Sequence, residues 1–160
     1  MDISTRTKQL KAIFSYDKKI ILEDQPLEIR PYHFIQDMGI KEIEQFQQLI
    51  PTSEFCSIPD NSIQENKNFS YTIFTPKGSR KTNQAILLLH GLNERNWDKY
   101  LTWAEYLSSA TGKAVILFPI AFHMNRTPCN WYNPRALMSW VARRKQEVKH
   151  LDNSTFVNVA

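Results

Sequence analysis

His90-Gly91-Leu92-Asn93 is the stretch whose residue types and spacing could do chemistry, because it follows directly on five apolar residues, Ala85-Ile86-Leu87-Leu88-Leu89. A polar loop continues to Asn96, and a periodic, aromatic-rich segment opens at Trp97. Such an arrangement puts a sharp turn at the carboxyl end of a strand, the edge where open α/β sheets place their ligands. Other reactive side chains have weaker surroundings. His123 also follows an apolar run, but no carboxylate or cysteine has metal-ligand spacing to His90 or His123, so no metal site and no cofactor is expected. Cys129, in Thr-Pro-Cys-Asn-Trp, has no identifiable histidine partner to activate it. Ser108-Ser109 fall near the end of a helical pattern, which does not expose an activated hydroxyl. Glu94 and Asp98 suit the start of a helix, where the dipole favours carboxylates.

Two elements must hold that loop. The unbroken apolar run Ala85–Leu89 predicts a strand covered on both faces, hence a central one. Trp97, Tyr100, Leu101, Ala104 and Leu107 share one face at helical spacing, and Gly112 stands where a left-handed C-cap would. The helix is therefore expected over about 96–111, with Asn93 or Asn96 as its cap. Ala114 to Phe118, stopped by Pro119, repeats the apolar run. Strand, helix and strand make a βαβ unit with two parallel strands, and the fold class is α/β.

Upstream, Phe69-Ser70-Tyr71-Thr72-Ile73-Phe74-Thr75 is aromatic and β-branched and is closed by Pro76-Lys77-Gly78, a strand followed by a turn. Ile40, Ile43, Phe46 and Ile50 fall at steps of three and four, which predicts an amphipathic helix over 40–50, stopped by Pro51. Residues 52–68 are polar and turn-rich. Residues 1–35 read as a lead-in with one short strand, because Pro26 and Pro31 interrupt longer elements. Downstream, 120–133 is irregular, and Pro134 suits the first turn of a helix to about Lys149. The chain thus divides into a mixed N-terminal segment, 1–68, and an α/β domain, 69–160. Phe122, Trp131 and Tyr132 are candidate pocket-wall residues, since ligand pockets are lined chiefly by apolar side chains.

Composition bounds the function. The chain has 160 residues, 42% hydrophobic and 22% charged, as a globular domain does. Its net charge of +4 is mild, and the cluster Arg126, Arg135, Arg143, Arg144, Lys145 and Lys149 reads as a solvated helix face in preference to a nucleic-acid or membrane surface. Cys56 and Cys129 have no paired spacing, which argues against a disulfide framework. With no apolar leader and no segment long enough to span a bilayer, the chain is expected in the cytoplasm.

The strand Ala85–Leu89, the immediate His90-Gly91, the helix starting near Trp97 and the second strand Ala114–Phe118 together resemble the N-terminal portion of an α/β-hydrolase. The string Leu-Leu-Leu-His-Gly-Leu-Asn-Glu is similar to an uncharacterised branch of that superfamily. In that superfamily the loop after the third strand gives one backbone N–H to the oxyanion hole, and the residue after the nucleophilic serine gives the other. The resemblance implies that the Leu92 N–H is the donor, with Asn93 as a lesser contributor. Gly91 would permit close approach of a small ester-like substrate, and His90 would orient the loop. Four glycines, at 39, 78, 91 and 112, cannot make a Gly-x-Ser-x-Gly. The expectation is a partial hydrolase-like sheet, an N-terminal fragment of a serine hydrolase that lacks nucleophile, acid and catalytic histidine and is inert alone. The family's third strand lies between the fourth and the fifth, so without a fifth strand residues 85–90 would form an open edge prone to self-association. The alternative, from a different class, is a non-catalytic interaction module whose basic helix 134–149 meets an acidic partner.

Overall fold

The computed structural model describes residues 2–35, 63–78, 83–91 and 94–132, together with the single positions 135, 138, 142 and 146. Five strands form one open mixed sheet: β1 (Ile20–Leu22), β2 (Leu27–Ile35), β3 (Asn68–Pro76), β4 (Ala85–Leu88) and β5 (Ala114–Leu117). Their order across the sheet is β1-β2-β3-β5-β4. Every neighbouring pair is antiparallel except β4 and β5, which run parallel in register from Ala85↔Ala114 to Leu88↔Leu117. Among the fully described segments the sheet is accompanied by the helices α1 (Ile3–Ile13), the single turn α2 (Gln64–Lys67) and α3 (Asp98–Thr111). No helix among the described residues is long and apolar enough to cross a membrane.

Strand periodicity sorts the sheet into two faces. Ile29, Phe74, Val115 and Ile86 are aligned across β2, β3, β5 and β4, and the first three are essentially inaccessible. They join Leu10 of α1 and Trp97, Tyr100, Leu101 and Ala104 of the α3 region in one core. The next row, Arg30, Ile73, Ile116 and Leu87, turns the other way, and Leu87 is 58% exposed.

The βαβ unit forms at the expected places. Gly112 closes α3 at φ +66°, its N–H donating to the Ser108 carbonyl at 3.0 Å. Asn96 Oδ1 accepts the Asp98 N–H at 3.1 Å, satisfying one donor of the first turn. The position of β4 is the open edge expected of the partial sheet, and not the buried central strand that its apolar run by itself predicts. It ends the sheet among the described residues, and Leu87 and Leu89 face outward, Leu89 at 46% exposure. Continuous apolarity had two readings, a strand buried on both faces or an edge strand with one bare face, and only the partner strands decide between them. The parallel pair is thus peripheral, and antiparallel pairing dominates the centre.

The lead-in segment also supplies more than one short strand. It contributes α1, β1 and the nine-residue β2, which runs through Pro31. Pro31 is tolerated because β1 pairs with β2 only as far as Ile29, so one side of β2 is unpaired at Pro31 and needs no donor there. The expected helix over 40–50 lies outside the described residues. That over 134–149 is described only at Arg135, Met138, Ala142 and Gln146, all helical.

An ion cluster fastens α1 to α3. Arg6 Nε donates to both Glu105 oxygens at 2.9 and 3.0 Å, and its Nη1 reaches Asp24 Oδ2 at 2.7 Å. Thr7 and Thr102 hydroxyls meet at 2.8 Å beside it. Arg6, Asp24, Glu105, Tyr106 and Ser109 line a half-open cavity of about 380 Å³. The carboxylates hold the guanidinium well above its usual pKa, the Glu105 hydrogen bond being the main cause. With its donors committed to Glu105, Asp24 and Gln9, Arg6 reads as a structural clamp.

Candidate functional site

The carboxyl ends of β4 and β5 bring together the two histidine-bearing loops. His90, two residues past β4, is 5% exposed. Its Nε2 accepts the backbone N–H of Ile120 at 3.0 Å, which requires that nitrogen to be unprotonated. The proton therefore sits on Nδ1, which donates to the Gly91 carbonyl at 2.9 Å. Burial is the main cause that keeps His90 below the ordinary histidine pKa; the nearby His123 adds to it, while the Gly91 bond and Glu94 oppose it. A neutral ring with both nitrogens committed to backbone is neither a free base nor a metal ligand. It is a brace between the β4 loop and the β5 loop.

Gly91 is held as firmly. Its N–H donates to Tyr100 Oη at 2.7 Å, and its carbonyl also accepts the Glu94 N–H at 3.3 Å. A Cβ built on Gly91 would stand 3.4 Å from Tyr100 Oη. At that distance a Cβ would only touch the helix tyrosine in ordinary contact, so the tyrosine packs closely on the loop without excluding one. Glu94 pairs with Lys99, which lies 5.2 Å over the Tyr100 ring, so the loop is anchored to the first turn of α3 at two points. Leu92 and Asn93 lie outside the described residues. The first loop N–H is already used, so a donor for substrate would have to come from beyond Gly91.

His123 approaches His90 with ring centroids 5.1 Å apart, and Trp97 lies 5.5 Å away on another side. His123 Nδ1 donates to the Ala121 carbonyl at 2.9 Å, while its Nε2 is buried without a partner. Phe122 and Met124, on either side, have φ of +64° and +52°. Left-handed backbone costs a residue bearing a Cβ about 1–2 kcal/mol, so the turn holds strain as well as an orphaned acceptor. Of the expected pocket wall, Phe122 and Trp131 stack at 5.8 Å; for Tyr132 only the backbone is described, within a 3-10 turn, Cys129–Tyr132. Among the described residues no group of three His, Cys, Asp or Glu could hold a metal ion.

Sequence reasoning missed Asn66, Tyr100, Asn125 and Arg126 as parts of this edge. Tyr100 carried a weak signal, since a helix start nine residues past Gly91 falls naturally beside the loop. Asn66 carried none, because its place depends on the antiparallel return of β3 beside β5. A 3-10 turn, Met124–Arg126, places Arg126 with its guanidinium 4.2 Å from the centre of the Phe69 ring.

Comparison with known proteins finds no similar chain among curated proteins and none among solved structures. A family does match, over residues 1–160, and its description is a family of unknown function, DUF6051. Spanning the whole sequence, that match makes this chain a member of the DUF6051 family.

Proposed function

We propose that the chain is the oxyanion-loop portion of an α/β-hydrolase-like acyl hydrolase acting on an ester, amide or thioester. One relationship carries the reading: His90-Gly91 stands at the carboxyl end of β4, whose neighbour is the following parallel strand β5. That is the adjacency the superfamily resemblance implies for its third and fourth strands, with β2 and β3 in the places of the first and second. The braced loop adds support, since an oxyanion donor works only if its position is fixed before charge develops on the substrate. His90 takes the role of positioning residue, and the Leu92 N–H that of donor.

The sequence contains no Gly-x-Ser-x-Gly, so the reaction requires a nucleophile from outside these 160 residues. Two measurements test the proposal. Incubated with a chromogenic ester, the chain alone is expected to give no turnover above buffer; turnover that tracks the purified protein would overturn its assignment as the inert half. Reading the coding sequence past Ala160 tests the hydrolase assignment itself. An apolar strand leading into Gly-x-Ser-x-Gly, with Asp and His after it, supports the enzyme. A stop codon there, in a chain that folds stably, overturns it in favour of a non-catalytic module.

A further inference from the structure

Six buried side-chain polar atoms among the described residues lack a hydrogen-bond partner, and four of them belong to the turn after β5 or to a residue bonded to it: Asn66 Nδ2, His123 Nε2, Asn125 Oδ1 and Arg126 Nε. Asn66 lies in α2. Asn66 Oδ1 accepts the Phe122 N–H at 3.2 Å, which fixes its amide with the NH2 group pointing elsewhere. Arg126 Nη2 reaches the Asn66 carbonyl at 3.5 Å, and Arg126 Nη1 donates to the Pro119 carbonyl at 3.0 Å. Asn125 Nδ2 donates to the Ser70 carbonyl at 2.7 Å. Each orphaned buried group costs about 1–3 kcal/mol, and the strained φ of Phe122 and Met124 add to that cost in the same turn. The orphaned atoms of His123, Asn125 and Arg126 follow the carboxyl end of β5, the edge at which open α/β sheets place their ligands.

Arg126 gives the cluster its sign. No acidic side chain among the described residues pairs with it, and its other neighbours are the rings of Phe69 at 4.2 Å and Phe118 at 6.0 Å. Burial alone pushes its pKa down, with no carboxylate acting the other way. A partly buried cation held only by carbonyls and rings lacks the counter-charge that normally compensates its desolvation. Asn66, 8% exposed, offers an unpartnered N–H beside it. Arg126 Nε and Asn66 Nδ2 are thus two unpartnered donors on residues joined through Arg126 Nη2 and the Asn66 carbonyl, and donors of these two kinds suit the oxygens of an anionic group.

We propose that Arg126 and Asn66 form a binding subsite for the carboxylate or phosphate of a small acid. The acceptor Asn125 Oδ1, on the residue before Arg126, suits a hydroxyl or amide hydrogen of such a ligand. Binding at this subsite does not depend on the acyl-hydrolase reading. Where that reading also holds, the subsite makes the substrate an anionic ester.

The test is calorimetric titration of the whole chain with inorganic phosphate and, separately, with succinate, at constant ionic strength. Saturable one-to-one binding is expected for at least one probe, and the better probe tells phosphate from carboxylate. Arg126→Gln should weaken it about tenfold or more, and Asn66→Asp, which sets a like charge against the ligand, should do the same. Arg30→Gln removes an exposed guanidinium paired with Glu28 and should leave binding unchanged. Should Arg126→Gln lose its native circular dichroism, Arg126→Lys keeps a cation and removes the fork, and a loss of about threefold or more is expected there. Absence of saturable binding to both probes overturns the proposal, as does equal loss in the Arg126 and Arg30 variants, which marks diffuse charge attraction. Ester turnover is not read in any arm, so failure here leaves the hydrolase assignment to its own tests.

Discussion

The imidazole Nε2 of His90 accepts the backbone N–H of Ile120 at 3.0 Å, joining two loops thirty residues apart in the chain. Two parallel strands end side by side, and this bond ties their loops at the carboxyl edge. The bond exists only while Nε2 is unprotonated, so the brace is also a titrating group.

Its pH dependence follows from the direction of the shift. The folded His90 titrates below the ordinary value of 6.5, chiefly because it is buried. As pH falls through 6.5 the unfolded chain takes up a proton that the folded chain refuses, so stability is lost from there down to the folded pKa and is constant above it. Urea midpoints measured from neutral pH downward should show that decline. His90→Leu should be less stable by about 1–3 kcal/mol at neutral pH, since it orphans the Ile120 N–H, and its decline with acid should be shallower. An unchanged slope would assign the pH dependence to another group.

Tyr100→Phe removes the acceptor of the Gly91 N–H without emptying the core, because the ring remains. Stability should fall by about 1–2 kcal/mol, less than the roughly 2–5 kcal/mol expected for Leu101→Ala, and amide exchange at Gly91 should accelerate selectively.

The Arg6 cluster should respond asymmetrically. Glu105 is 5% exposed at the side chain and Asp24 is 51% exposed. Glu105→Ala strands a buried guanidinium and should cost about 3–5 kcal/mol, whereas Asp24→Ala should cost less than about 1 kcal/mol because solvent replaces that carboxylate. Joint replacement of Arg6 by Met and Glu105 by Leu should recover most of the loss; thermal or urea unfolding of the four chains makes the comparison.

Among the described residues no strand pairs with the outer edge of β4, which carries no charge or proline from Ala85 to Leu88, and its outward Leu87 is 58% exposed. Such an edge templates pairing with a second chain. Light scattering should show a species heavier than the monomer that Leu87→Lys converts to monomer with no loss of stability. A wild-type chain that stays monomeric as its concentration rises would rule out this route.

Local sequence determined the elements around the loop. The apolar runs 85–89 and 114–118 became β4 and β5, the helical spacing from Trp97 became α3, and Gly112 took the left-handed cap that only the lack of a Cβ makes cheap. Those properties rest on neighbours within a few residues, where side-chain period and backbone preference are written directly. Tertiary structure alone decided the rest: that Pro31 sits inside a nine-residue strand, and that Tyr100 consumes the Gly91 N–H. It also placed Arg126 beside Asn66, sixty residues away. Each of these depends on which strand lies next to which, and pairings between distant segments are set by the packing of the whole core and leave no period or spacing in the chain.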